Sequence, residues 1–170
     1  MKLGVFSFNT EYTIRADELA IAAEERGFES IWFPEHTHIP ASRETAYPGG
    51  GPLPKEYIHM SDPFTSAAAA AVVTKTIKIG TGVCLVIEHD PLALAKTVAT
   101  IDRLSNGRFI LGVGAGWNAE EMENHGTPYA KRWKVLEERV KAMKALWTEE
   151  EASFHGDWVN FEKVWSYPKP

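Results

Sequence analysis

Apolar residues along this chain alternate between short runs and longer stretches of helical spacing. Lys2–Phe8 is short, β-branched and aromatic, bounded by Asn9 and Thr10, and reads as a buried strand. Between Ile14 and Arg26, the residues Ile14, Leu19, Ala20, Ala22 and Ala23 fall at helical spacing, and Gly27 follows as a C-terminal glycine should. Ser30–Phe33 is a second strand, closed by Pro34. The alternation then recurs. Asp62-Pro63 opens an alanine-rich helix to about Lys75, Ile77–Leu85 is a third strand, and Pro91 starts a helix to about Leu104. Ser105-Asn106-Gly107 stops that helix, and Arg108–Val113 is a fourth strand. Lys131–Trp147 is amphipathic, with Trp133, Leu136, Val140, Met143 and Leu146 on one side. Ala152–Val164 reads as a hairpin around His155-Gly156-Asp157, and Tyr167-Pro168-Lys169-Pro170 as an extended tail.

This pattern predicts an α/β fold with a parallel sheet whose strands are buried on both faces, either doubly wound or a (β/α)8 barrel. A TIM barrel usually needs about 250 residues, so the barrel reading makes this chain an incomplete one: the first four βα units plus a short C-terminal hairpin. Composition adds little. The net charge of −5 leaves no footprint for nucleic acid or anionic lipid. The single Cys84 excludes an internal disulfide and fits a reducing cytoplasm. MKLGVFSF lacks the features of a signal peptide, and the apolar run Ala67–Val73 is too short to cross a bilayer. A cytoplasmic chain of one domain, residues 1–170, is the expectation.

In both α/β architectures function gathers at the C-terminal ends of strands. After the second strand comes Pro34-Glu35-His36-Thr37-His38, a carboxylate and an imidazole side by side, suited to general acid–base work. The alternative is a surface loop with both side chains merely solvated. His36 and His38 also have metal-ligand spacing, which would suit a metal-dependent hydrolase, but no downstream His/Asp set completes a shell. The third strand carries Gly80-Thr81-Gly82-Val83-Cys84, where glycine marks either close approach of a ligand or tight packing. Cys84 reads as a buried small residue rather than a nucleophile. The fourth strand ends in Gly112-Val113-Gly114-Ala115-Gly116-Trp117-Asn118, where Trp117 stands in place of the third glycine of a dinucleotide fingerprint, so that reading fails. The long connection Thr37–Met60, with its Pro48-Gly49-Gly50-Gly51-Pro52 run, is a candidate lid.

Taken in order, Phe33-Pro34-Glu35-His36, Tyr47-Pro48-Gly49-Gly50-Gly51, Gly80-Thr81-Gly82-Val83, Asp102-Arg103-Leu104-Ser105-Asn106-Gly107-Arg108-Phe109 and Gly112–Asn118 resemble the luciferase-like monooxygenase superfamily. Within it, the resemblance is to the deazaflavin-dependent oxidoreductase branch, over essentially the whole chain. It implies the N-terminal half of a (β/α)8 barrel that binds coenzyme F420, or FMN as the alternative, and acts on a small organic substrate by hydride transfer or oxygenation. It implies catalytic roles for His36 and Glu35, and cofactor contacts from Gly82, Val83, Trp117 and Asn118. Gly82-Val83 matches a site where deazaflavin members carry a non-prolyl cis peptide. Trp117 stands where sugar-phosphate-oxidising members have a catalytic carboxylate, which argues against their reaction. The family's phosphate site lies in the second half of the barrel, so a homodimer or a partner chain would be needed to complete one. A non-catalytic half-barrel or assembly subunit is the rival expectation.

Overall fold

Two Asp-Pro pairs set the register of the central helices. The structure is a computed structural model that describes all of residues 1–170. In it Asp62 accepts the Thr65 N–H at 2.6 Å and Asp90 accepts the Ala93 N–H at 2.8 Å. Each caps a helix whose first turn holds proline: α2 (Pro63–Val73) and α3 (Pro91–Ser105). The latter ends on Asn106 in the left-handed conformation. Ahead of them lie β1 (Gly4–Phe6), α1 (Ala16–Glu25) and β2 (Ser30–Phe33).

The third strand is not continuous. It runs as β3 (Lys78–Thr81), breaks at Gly82-Val83, and resumes as β4 (Cys84–Leu85). The fourth divides likewise into β5 (Phe109–Ile110) and β6 (Val113–Gly114). The breaks coincide: the Gly112 carbonyl accepts both the Cys84 N–H at 2.7 Å and the Thr81 hydroxyl at 2.8 Å, bridging one interruption with the other. All pairings in this layer are parallel, in the order β1-β2-β3-β5, with β4 on β6 beyond the breaks. Strands in chain order, each returned by a helix, make this a barrel-like α/β arrangement.

Helices back one side of the sheet. Ile31, Phe33, Ile77 and Ile79 pack there against Ala20, Ala67, Ala70, Ala71, Leu94 and Ala95, all buried. The small alanines let α1 and α2 lie close to the strands. Arg108 ties the same side together: its guanidinium donates to the carbonyls of Ala71, Thr74, Ile77 and Ser105 and to the Thr74 hydroxyl. The expectation of strands buried on both faces does not hold. Phe6 (53% exposed), Val83, Ile110 and Val113 are open on the other side, because no layer of this chain covers it.

Two further elements differ from expectation. A short helix α4 (Ala119–Asn124) follows the fourth strand, too brief for periodicity to announce. In α5 (Arg132–Thr148) the buried positions are Val135, Ala142, Met143 and Leu146, while Trp133 points outward at 62% exposure. The hairpin is formed by β7 (Ala152–His155) and β8 (Asn160–Val164), its turn held by Glu138 of α5, which accepts the N–H groups of Asp157, Trp158 and Val159. No helix is long and apolar enough to cross a membrane.

Candidate functional site

The segment leaving β2 sends consecutive side chains to different partners. Glu35 is 3% exposed and fully engaged: one oxygen accepts the Leu85 N–H at 2.5 Å and the other meets His89 Nε2 at 2.8 Å. Its carboxylate therefore braces β4 and does not touch His36. The partner of His36 is Glu121 of α4, whose Oε2 lies 2.6 Å from Nδ1. The other oxygen of Glu121 accepts the Thr37 N–H at 3.0 Å, so one buried carboxylate grips two successive residues. A carboxylate on Nδ1 places the imidazole proton there and leaves Nε2 as the basic nitrogen. Nε2 has no protein partner.

His36 stands in a wall of rings. Tyr57 and Trp117 have centroids 5.3 Å and 5.6 Å from its own, and Tyr47 packs on both of them. Phe8 joins Tyr57 to Phe6. His36, Tyr57, Trp117, Phe6 and Phe8, with Gly82, Val83 and Leu85, line a cavity of about 190 Å³ at the C-terminal ends of the strands. The Gly82-Val83 peptide on its wall is cis. Burial, reinforced by Tyr47, pushes the Tyr57 phenol up to about 12, so it stays protonated. A larger open groove of about 640 Å³ runs between the outer surfaces of α2 and α3, away from His36.

The connection expected as a lid is held against this cavity. Glu120 Oε1 accepts the N–H groups of Glu44 at 2.7 Å and Thr45 at 3.0 Å, and the Thr45 side chain together with these bonds brings its pKa down to about 2. Arg43 lies 5.5 Å over the Trp117 ring. Lys55–Ile58 forms a 3₁₀ turn that presents Tyr57.

Of the residues singled out from sequence, His36, Glu35, Gly82, Val83 and Trp117 converge on the cavity. Asn118 does not line it. Its buried side chain stands behind Glu121, with Nδ2 at 3.5 Å from Oε2, and its Oδ1 has no partner. His36 and His38 turn to different neighbours, His38 bonding Thr37 and Asn124, so they form no common ligand set. Glu35, Cys84 and His89 bring ligating atoms within 4.8 Å of one another. There the carboxylate is already satisfied, and burial beside Glu35, Glu88 and Asp62 pushes the Cys84 thiol far up, which keeps it protonated and inert.

Sequence reasoning missed Glu121, Glu88, His89 and Tyr57. A signal for Glu121 was present: Asn118-Ala119-Glu120-Glu121 has the spacing of a capping box at a strand end, which announces a helix start.

Comparison with known proteins identifies the family. The family model for luciferase-like monooxygenase matches residues 1–170. An uncharacterized protein of Mycobacterium tuberculosis is 44% identical over all of this chain and 61% of its own length. An F420-dependent glucose-6-phosphate dehydrogenase of Amycolatopsis mediterranei is 33% identical over 90% of this chain and 43% of its own. Among solved structures, a monooxygenase from Streptomyces bottropensis superposes with a TM-score of 0.82 at 28% identity, covering 99% of this chain and 50% of that one. An F420-dependent secondary alcohol dehydrogenase, bound to an F420-acetone adduct, gives 0.78 at 28% identity, with 99% and 49% coverage. The chain thus spans between 43% and 61% of the length of these relatives. With the match running from the first residue to the last, this chain belongs to the luciferase-like monooxygenase family.

Proposed function

We propose that this chain supplies the ring-facing side of a flavin- or deazaflavin-dependent oxidoreductase acting on a small organic substrate, with coenzyme F420 the favoured cofactor and FMN the alternative. Under this reading its strands are the first four of a (β/α)8 barrel. The observation that carries it is His36: Nδ1 fixed on Glu121, Nε2 open, in an aromatic cavity beside the Gly82-Val83 backbone.

The wall suits a flat ring. Phe6 and Val83 offer apolar surface at 53% and 41% exposure, and glycines keep the backbone free of side chains between them. A Cβ on Gly112 would strike the Thr81 carbonyl, and one on Gly114 the Val83 side chain. A bound cofactor would supply the hydride or oxygenating chemistry. His36 takes or gives a proton at Nε2, Trp117 and Tyr57 exclude water, and the Gly82-Val83 backbone supports the ring. Glu35 acts through the position of Leu85, and Asn118 through Glu121.

Titration of the protein in its full gene context with F420 and with FMN, followed by absorbance and fluorescence, tests the reading. One of the two is expected to show a ring-dependent change that Trp117→Ala weakens. His36→Asn should retain binding and lose about 100-fold in turnover. No spectral change with either cofactor would refute the assignment.

The open apolar face supports a second reading, in which two copies pair their sheets and bury Phe6, Val83, Ile110 and Val113. Light scattering decides it: a monodisperse monomer removes this reading.

A further inference from the structure

Of the two histidines in the His36-Thr37-His38 run, only the first serves the proposed chemistry. His36 turns to Glu121, while His38 turns to the surface and meets His125, the residue after α4, with ring centroids 5.5 Å apart. One oxygen lies between these two rings: Thr37 Oγ1 is 2.9 Å from His38 Nδ1 and 2.7 Å from His125 Nε2. The same nitrogen of His125 is 3.8 Å from Glu88 Oε2. The Glu88 side chain is 1% exposed, and neither of its oxygens has a hydrogen-bond partner. A buried carboxylate without donors is costly unless it carries a proton or meets a cation.

We infer that His38, His125 and Glu88 form a binding site for a divalent transition-metal ion of the zinc type, centred near the Thr37 hydroxyl. None of these residues lines the cavity at His36, so the site stands apart from the proposed cofactor chemistry.

Two imidazole nitrogens and a carboxylate oxygen are donors that zinc, cobalt and nickel accept at about 2.0–2.2 Å. Tetrahedral ligands at that distance stand about 3.4 Å from one another, so His125 and Glu88 need close by only a few tenths of an ångström. Thr37 Oγ1 marks a point that both imidazoles already face. An ion taking that point draws each nitrogen in by less than about 1 Å, as the exposed threonine hydroxyl turns to water and a water fills the fourth position. His38 is exposed and free to swing toward the ion. Its Nε2 lies 2.9 Å from the Asn124 amide, which, turned over, accepts the proton a ligating histidine carries on its other nitrogen. Without an ion Glu88 keeps its own proton; coordination releases it.

Charge also favours a cation. The helix leading into His125 carries Glu120, Glu121 and Glu123 and no basic residue. The rival cluster of Glu35, Cys84 and His89 is closed, because both oxygens of that carboxylate are taken. An ion on His38, His125 and Glu88 ties together the segment leaving β2, the turn after α4 and the turn ahead of α3.

Titration of the chain with Co²⁺ and with Zn²⁺, read by absorbance and calorimetry, tests the site. One ion per chain is expected, with the visible bands of four-coordinate cobalt, no near-ultraviolet cobalt–thiolate band, and a raised thermal midpoint. His38→Ala, His125→Ala and Glu88→Gln should each weaken binding by about tenfold or more. His38 is exposed, so its replacement leaves the fold intact and its loss of binding reads the ligand itself. His155→Ala, on the hairpin, should bind as the parent does. Absence of binding by either ion, binding undiminished in any one of the three variants, or an equal loss in His155→Ala overturns the site. A cobalt–thiolate band overturns it too, by placing the ion at Cys84. The outcome is separate from that of the F420 and FMN titration, which reads the cavity alone.

Discussion

Replacing Glu88 by glutamine should stabilise the fold, by an amount that depends on pH in a way few other substitutions would reproduce. The Glu88 side chain is 1% exposed, its oxygens have no donor, and its charged neighbours include Glu121 and Glu35. The folded state therefore holds a proton up to about pH 9, whereas the unfolded chain releases it near the ordinary value of 4.5. Above 4.5 the folded state binds the extra proton, so stability falls as pH rises, at up to about 1.4 kcal/mol per unit for this one proton. That penalty is absent below 4.5 and complete only above the folded value. Glutamine at this position has no proton to hold. The advantage of Glu88→Gln over the parent should grow by about 2–3 kcal/mol between pH 5 and pH 7. At pH 7 this corresponds to a rise of roughly 5–10 °C in Tm over the difference seen at pH 5. Urea unfolding of both proteins at several pH values measures it, and other titrating groups cancel in the difference. Two stability curves that stay parallel from pH 5 to pH 8 would refute the reasoning, because Glu88 would then be ionised in the fold.

Two further outcomes follow from single side chains. Arg108→Lys should destabilise by about 2 kcal/mol, since a lysine ammonium cannot span the carbonyls of Ala71, Thr74, Ile77 and Ser105 that the guanidinium joins; thermal unfolding should show a fall of about 4–8 °C. Glu120→Ala should release the Glu44–Thr45 backbone at about 1 kcal/mol, the bonds being partly exposed, and speed tryptic cleavage after Arg43 roughly fivefold with little change in global unfolding.

Much of this arrangement is legible in the chain before any coordinates. Asp62-Pro63 and Asp90-Pro91 announce their helices because capping and proline geometry act within one turn. Ser30–Phe33 is read to the residue, since Pro34 stops it. What escapes is decided at a distance. Gly82 and Gly112 interrupt neighbouring strands at the same level, which only the sheet makes visible. Trp133 lies near the apolar stripe of its helix yet faces out, because no part of this chain meets it there. His36 and Glu35 are adjacent in sequence and suggest a couple. The fold separates them, giving His36 to Glu121 and Glu35 to Leu85 and His89. Partners 50 to 85 positions away leave no periodic trace, and α4 is too short to leave one of its own.

That short helix has a mechanical consequence. Glu120 and Glu121 are neighbours on α4, and the first tethers the connection over the cavity while the second orients the imidazole inside it. Because both grips sit on one short helix, a tilt of α4 that let the connection swing away would also slacken the hold on His36. Under the proposed function, entry to the cavity and alignment of the ring nitrogen would then be one event.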